Sequence, residues 1–151
     1  KKLIEIDKVY FFAPLFNVRV IKKYGFFDKN IFLYYDDLDL CKTLKKNNEK
    51  IYLCLDSFAY HVSGKSSKSK NYSSLRYFHW GWSFFYYYRK HYGFLFSIMM
   101  FLALFFKTII RLIYGSFSRS KTIIISNEYQ IIKGLLSYFL KKTDYPKKIY
   151  D

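Results

Sequence analysis

Residues 94–106 form an apolar run broken only by Ser97, and Lys107 and Arg111 follow at helical spacing before Gly115. A stretch this apolar satisfies its backbone most simply as a helix, and its side chains then need a surface to be buried on. The run is shorter than the roughly 20 residues that cross a hydrocarbon core of about 30 Å. Burial at a membrane interface is therefore the expectation. If Lys107 and Arg111 snorkel, the apolar segment extends to Tyr114, and a single spanning helix over residues 94–114 is the alternative.

The flanking sequence has the same character. Residues 72–92 read as an aromatic and basic helix with Gly93 as its stop. In it Trp80, Trp82 and Tyr86 to Tyr88 suit either an interface or ordinary core packing. Residues 127–142 repeat Ile131, Ile132, Leu135, Leu136, Phe139 and Leu140 on one face, with Lys133, Lys141 and Lys142 elsewhere, a pattern that fits a membrane surface or a partner helix. Residues 64–74 (GKSSKSKNYSS) are rich in Ser and Lys and read as a loop.

Hydrophobic content of 52% and aromatic content of 24% exclude disorder for most of the chain. The net charge of +15 is unevenly placed: residues 1–60 carry 11 basic and 8 acidic side chains, residues 61–151 carry 15 and 3. Such a charge suits nucleic acid or an anionic membrane. Because the aromatic residues are concentrated in apolar helical runs, burial is favoured over base stacking, and no nucleic-acid partner is expected. Cys41 and Cys54 lie in apolar patterns without CxxC spacing and read as reduced, buried thiols.

In the first part of the chain, residues 8–16 (KVYFFAPLF) are a β-rich apolar run and the first expected strand. Asn17 is placed to cap a short helix through VRVIKKY that Gly25 closes. Residues 26–35 are aromatic without a helical stripe and read as irregular or extended. A helix over 36–48 is predicted more firmly, since Leu40, Cys41 and Leu44 share one face while the acids at its start and the lysines at its end both match the helix dipole. Residues 50–62 then alternate with period two, Ile51, Leu53 and Leu55 on one side, and read as a strand entering a loop.

Asp36, Asp37 and Asp39 are the densest acidic cluster in a basic chain. They serve either as dipole compensation at a helix start or as a general base or metal site, because carboxylates held close raise one another's pKa. His61, where the chain leaves the second expected strand, is either structural or a ligand.

The ordered series Gly25, Phe27, Asp28, an aromatic residue, Asp36, Asp37, Asp39, Leu40, His61, Gly64 and Ser66 resembles the C-terminal catalytic stretch of family two glycosyltransferases, particularly rhamnosyltransferase-like members that build bacterial surface polysaccharides. The later WSFFYYYRKHYG resembles the family's post-catalytic helix, so the likeness covers residues 8–93. Asp36 stands where the family has Glu, one methylene shorter.

The resemblance implies an α/β fold: the C-terminal, acceptor-side part of a Rossmann-like GT-A domain over residues 1–93, followed by a basic, helical, membrane-associating extension over 94–151. The donor-binding half, with its metal-holding DxD motif, would lie upstream of Lys1, and the chain would be a fragment inactive alone and prone to aggregate through an unpaired sheet edge. The implied activity is inverting transfer of a sugar from a nucleotide-sugar donor to a hydroxyl of a saccharide or lipid-linked saccharide acceptor. Asp37 would be the catalytic base, Asp36 its support and Asp39 a substrate contact. By composition the loop of Lys65, Ser66 and Ser67 suits either closure over the diphosphate or a solvated linker, and by the resemblance His61 would ligate a divalent metal, Mg²⁺ or Mn²⁺. The expected location is the cytoplasmic face of the cell membrane, on an anionic surface. A membrane-surface adaptor without catalysis, whose acids only cap a helix, is the competing reading.

Overall fold

The computed structural model describes residues 2–60, 70–117 and 121–140. They belong to two compact units, Lys1–Ser66 and Ser67–Asp151.

The first unit contains β1 (Leu3–Ile6), α1 (Val18–Lys23), α2 (Asp36–Lys46) and β2 (Ile51–Cys54). The two strands pair antiparallel with Leu3 opposite Cys54 and Ile6 opposite Ile51. Beyond the last pair, the Leu55 N–H donates to Lys2 O at 2.9 Å, and the Lys2 N–H donates to the Asp56 carboxylate at 2.7 Å. Helix α1 begins where its sequence says it should: the Asn17 side chain accepts from the Arg19 N–H at 3.1 Å. It ends at Gly25, whose φ of +79° is open to glycine at no steric cost.

Helix α2 buries Asp39, Leu40, Cys41 and Leu44. Leu40 and Leu44 meet Ile21 of α1 in a small core that Phe11, Phe16, Val20, Tyr24 and Ile51 cover. Lys45, near the end of α2, reaches Glu5 at 3.3 Å and Asp7 at 3.2 Å, which ties the helix to β1 and the turn behind it. These pairs are exposed, so each contributes at most about 1 kcal/mol.

The second unit is α3 (Lys70–Tyr92), α4 (Phe94–Ser116) and α5 (Lys121–Phe139). Helices α3 and α5 cross at two glycines. A Cβ on Gly81 would strike the Ile131 carbonyl oxygen, and one on Gly134 would strike the Phe78 carbonyl oxygen and stand 3.0 Å from the Trp82 nitrogen. Absence of side chains at these two points lets the backbones touch, the packing mode of helices that associate through small residues. Helix α4 packs on both through Ser97, Leu104, Thr108 and Gly115. Glu128 of α5, only 2% exposed, is held by Arg111 of α4 at 2.9 Å. His79 is buried in α3, and burial pushes its pKa down to about 4, leaving the ring neutral at pH 7. Along α3 a row of rings, Trp80, Phe84, Tyr88 and Tyr92, continues across Gly93 to Phe96 with centroid spacings of 5.6, 4.9, 5.6 and 5.2 Å.

This architecture corrects the expected fold class. The described residues hold five helices and one antiparallel strand pair, not the parallel, crossover-connected sheet of a Rossmann-like GT-A domain. Two local reasons are visible. Residues 8–16 are not a strand: Pro14 has no N–H to give a ladder, and Phe11 and Phe16 of the run are drawn onto the core of α1 and α2 instead, while Tyr10 and Phe12 stay exposed. The partner of β2 is the short, exposed Leu3–Ile6, fixed by the ion pairs of Glu5 with Lys45 and Lys50. Within the second unit α3 packs on α5 and α4. The predicted helices over 36–48, 72–92 and 127–142 correspond to α2, α3 and α5, with α5 starting six residues earlier at Lys121.

Candidate functional site

The acids occupy the first turn of α2. Its N-cap, Tyr35, is left-handed at φ +66° and contributes no side-chain cap, and Tyr34 before it has φ +63°. Two consecutive aromatic residues in this region are strained by about 1–2 kcal/mol each. They turn the chain so that the Asp39 N–H can donate to Tyr35 O at 2.7 Å and begin the helix.

Asp37 is half-buried. One of its oxygens accepts the Leu38 N–H at 2.7 Å, and the Phe11 N–H also contributes to its surroundings. Burial raises its pKa above the ordinary carboxylate value, the backbone donors pull it back in part, and the charge of neighbouring Asp36 raises it again. The result is a carboxylate more ready to take a proton than a solvated one, at the positive end of a helix that otherwise favours its charge. Asp36 is partly exposed beside it, whereas Asp39 is buried at 3% exposure and faces inward with Leu40 and Cys41.

The opening residues of the resemblance come to the same place. After Gly25 the Asp28 side chain accepts from the Asn30 N–H at 2.9 Å and its carbonyl accepts from the Ile31 N–H at 2.9 Å, which makes a tight turn. The turn presents Phe27 edge-on to Phe11 at 6.1 Å and to Phe16 at 5.9 Å. Since the Phe11 N–H reaches Asp37, the Gly25–Phe27–Asp28 turn is linked to the acid through one aromatic contact. The strap around Phe11 is held again at Val9, whose carbonyl accepts the Cys41 thiol at 3.8 Å, and burial pushes that thiol's pKa up. Sequence reasoning missed Phe11, Val9, Tyr34 and Tyr35, because backbone groups and dihedral angles do this work and the side-chain types give no sign of it.

His61, Gly64, Lys65, Ser66 and Ser67 lie outside the described residues; of the loop expected over 64–74, residues 70–74 instead form the first turn of α3. Among the described residues no three His, Cys, Asp or Glu side chains converge as a metal-ligand set. The acids of α2 do not form one: Asp39 points inward and Asp37 is engaged by backbone donors. Comparison with family models, curated proteins and solved structures returns no match for this chain.

Proposed function

We propose that the chain supplies the acceptor-activating part of an inverting sugar transferase, with Asp37 as general base. The observation that supports this reading is the Asp37 carboxylate: half-buried, raised in pKa, reinforced by Asp36, and reached by a strap that joins it to the Gly25–Phe27–Asp28 turn. The reading rests on this acid and on the ordered resemblance around it, not on the fold.

In the step, the acceptor hydroxyl oxygen attacks the anomeric carbon of a nucleotide sugar as the bond to the diphosphate oxygen breaks. The hydroxyl proton passes to Asp37, and configuration inverts. Proximity to a positioned base of this kind contributes about 10²–10⁴-fold. Asp36 acts through its neighbour by keeping the Asp37 pKa high. Saccharide or lipid-linked saccharide acceptors and a nucleotide-sugar donor are the substrate classes this step requires; Mg²⁺ or Mn²⁺ would offset charge on the departing diphosphate.

The test is sugar transfer by the full-length protein in membranes, with a panel of nucleotide sugars and either cation. Asp37→Asn is expected to lower turnover by about 10²-fold or more while donor binding is retained. Undiminished transfer by the variant would sink the proposal and leave the acids as dipole compensation, as the adaptor reading has them.

A further inference from the structure

Helix α4 shows two opposite faces. Ser97, Leu104, Thr108 and Gly115 are packed against the other helices, while Leu95, Met99, Leu102, Phe106, Ile110 and Ile113 stand 44–85% exposed. The exposed set steps by four, three, four, four and three residues. Such a sequence averages close to 3.6 residues per turn, and it keeps all six on one straight stripe along a helix about 35 Å long. No charged residue interrupts the stripe. Lys107 flanks it on one side, and Arg111 lies further round, beside the packed face and paired with Glu128.

Charge decides what covers this stripe. Among the described side chains of the helical unit, Arg76, Arg89, Lys90, Lys107, Arg111 and Lys133 are exposed, and the one acid, Glu128, is buried against Arg111. A second copy of the unit would bring cations against cations. An anionic lipid surface complements both the stripe and its cationic border.

Depth follows from Lys107. In a helix running from Phe94 to Ser116, Lys107 is two residues from the midpoint, about 3 Å along the axis. Crossing the bilayer would hold an exposed ammonium near the centre of a core about 30 Å thick, beyond what a lysine stem can span to either surface. Lying in the plane, the same helix keeps Lys107 at phosphate level with the stripe turned into the acyl chains. We infer that α4 is an in-plane lipid anchor, seated on anionic membrane through its Leu95–Ile113 stripe, although its length and apolarity alone would allow it to cross. The inference does not depend on sugar transfer, and its readout contains no sugar.

The experiment is vesicle flotation of the full chain on phosphatidylcholine with and without about one third phosphatidylglycerol. Wild type is expected on the anionic vesicles, and Leu102→Glu with Ile110→Glu, at sites 44% and 53% exposed and so free of the core, is expected to lose about 100-fold in partition with an unchanged circular dichroism spectrum. A second variant, Phe106→Trp, reads depth: the fluorescence it adds to wild type should be quenched more by lipids brominated near the glycerol than by those brominated at the chain ends. Equal flotation of wild type and the double variant overturns the anchor. Strongest quenching at the chain ends replaces the in-plane placement with a crossing. A lipid-free wild-type dimer that the double variant disperses would assign the stripe to a second copy.

Discussion

Asp37 carries a consequence for stability that is separable from its proposed chemistry. Its folded pKa is raised, chiefly by burial, so between the unfolded value near 3.8 and the folded value the native chain holds the proton more tightly than the unfolded one. Stability contributed by this group is therefore present at low pH and declines as pH rises through that window. Asp37→Asn, which cannot ionise, is expected to flatten the decline and to melt no lower than wild type at pH 7. Thermal melts of both proteins from pH 4 to pH 7 check it, and a variant that melts well below wild type at pH 7 would mean the charge stabilises α2. A charge that lowers stability while making proton uptake easier is what the proposed base requires, whereas a helix-dipole acid would behave in the opposite sense.

Among the elements, the α3–α5 crossing and the α4–α5 ion pair make contrasting demands. Gly134→Ala pushes a methyl into the backbone of α3, which has no side chain to move aside, and should cost about 1–3 kcal/mol despite alanine's better helix propensity. Gly115→Ala meets only the Ile124 side chain, at 2.6 Å from Cγ2, which can rotate, so its cost should be smaller. Denaturant titration of the two variants side by side gives the comparison; equal losses would mean the crossing is looser than described. Arg111→Ala leaves Glu128 buried without its cation and is expected to cost about 1–3 kcal/mol, since the arginine end of the pair is half exposed. Replacing both, as Arg111→Met with Glu128→Leu, should recover most of that loss.

These elements differ in how far the sequence announces them. Helix α2 was legible because its charges and apolar spacing agree, and Asn17 and Gly25 mark α1 at both ends. The glycines of the crossing were not legible, since Gly81 and Gly134 sit in aromatic and aliphatic runs where nothing marks them as contact points. Residues 8–16 read as a strand on composition, but Pro14 and the demand of α2 for a cover decided otherwise. For the site, the acids were visible and the backbone strap at Val9 and Phe11 that shapes them was not, because a main-chain N–H is the same at every position.

For the whole molecule, the governing fact is that charge and apolar surface are concentrated together: residues 61–151 hold 15 of the 26 basic side chains and 3 of the 11 acids. Binding of the full chain to anionic vesicles should weaken as salt is raised and the screening length falls from about 10 Å at 0.1 M to about 3 Å at 1 M. It should level off above zero, because burial of the α4 stripe is not screened. Flotation across a salt series measures this, and a fall to nothing would reduce the association to charge alone. The position of the rings adds something practical. Both tryptophans of the chain, Trp80 and Trp82, lie in α3, with Trp82 stacked on Tyr86 at 5.0 Å and tilted against Tyr138 of α5 at 5.7 Å. Tryptophan emission, excited apart from tyrosine, therefore originates in the helical unit: the residues around Asp37 contribute tyrosine such as Tyr10 and Tyr24 but no tryptophan, and a tryptophan assay of that half needs a reporter placed within it.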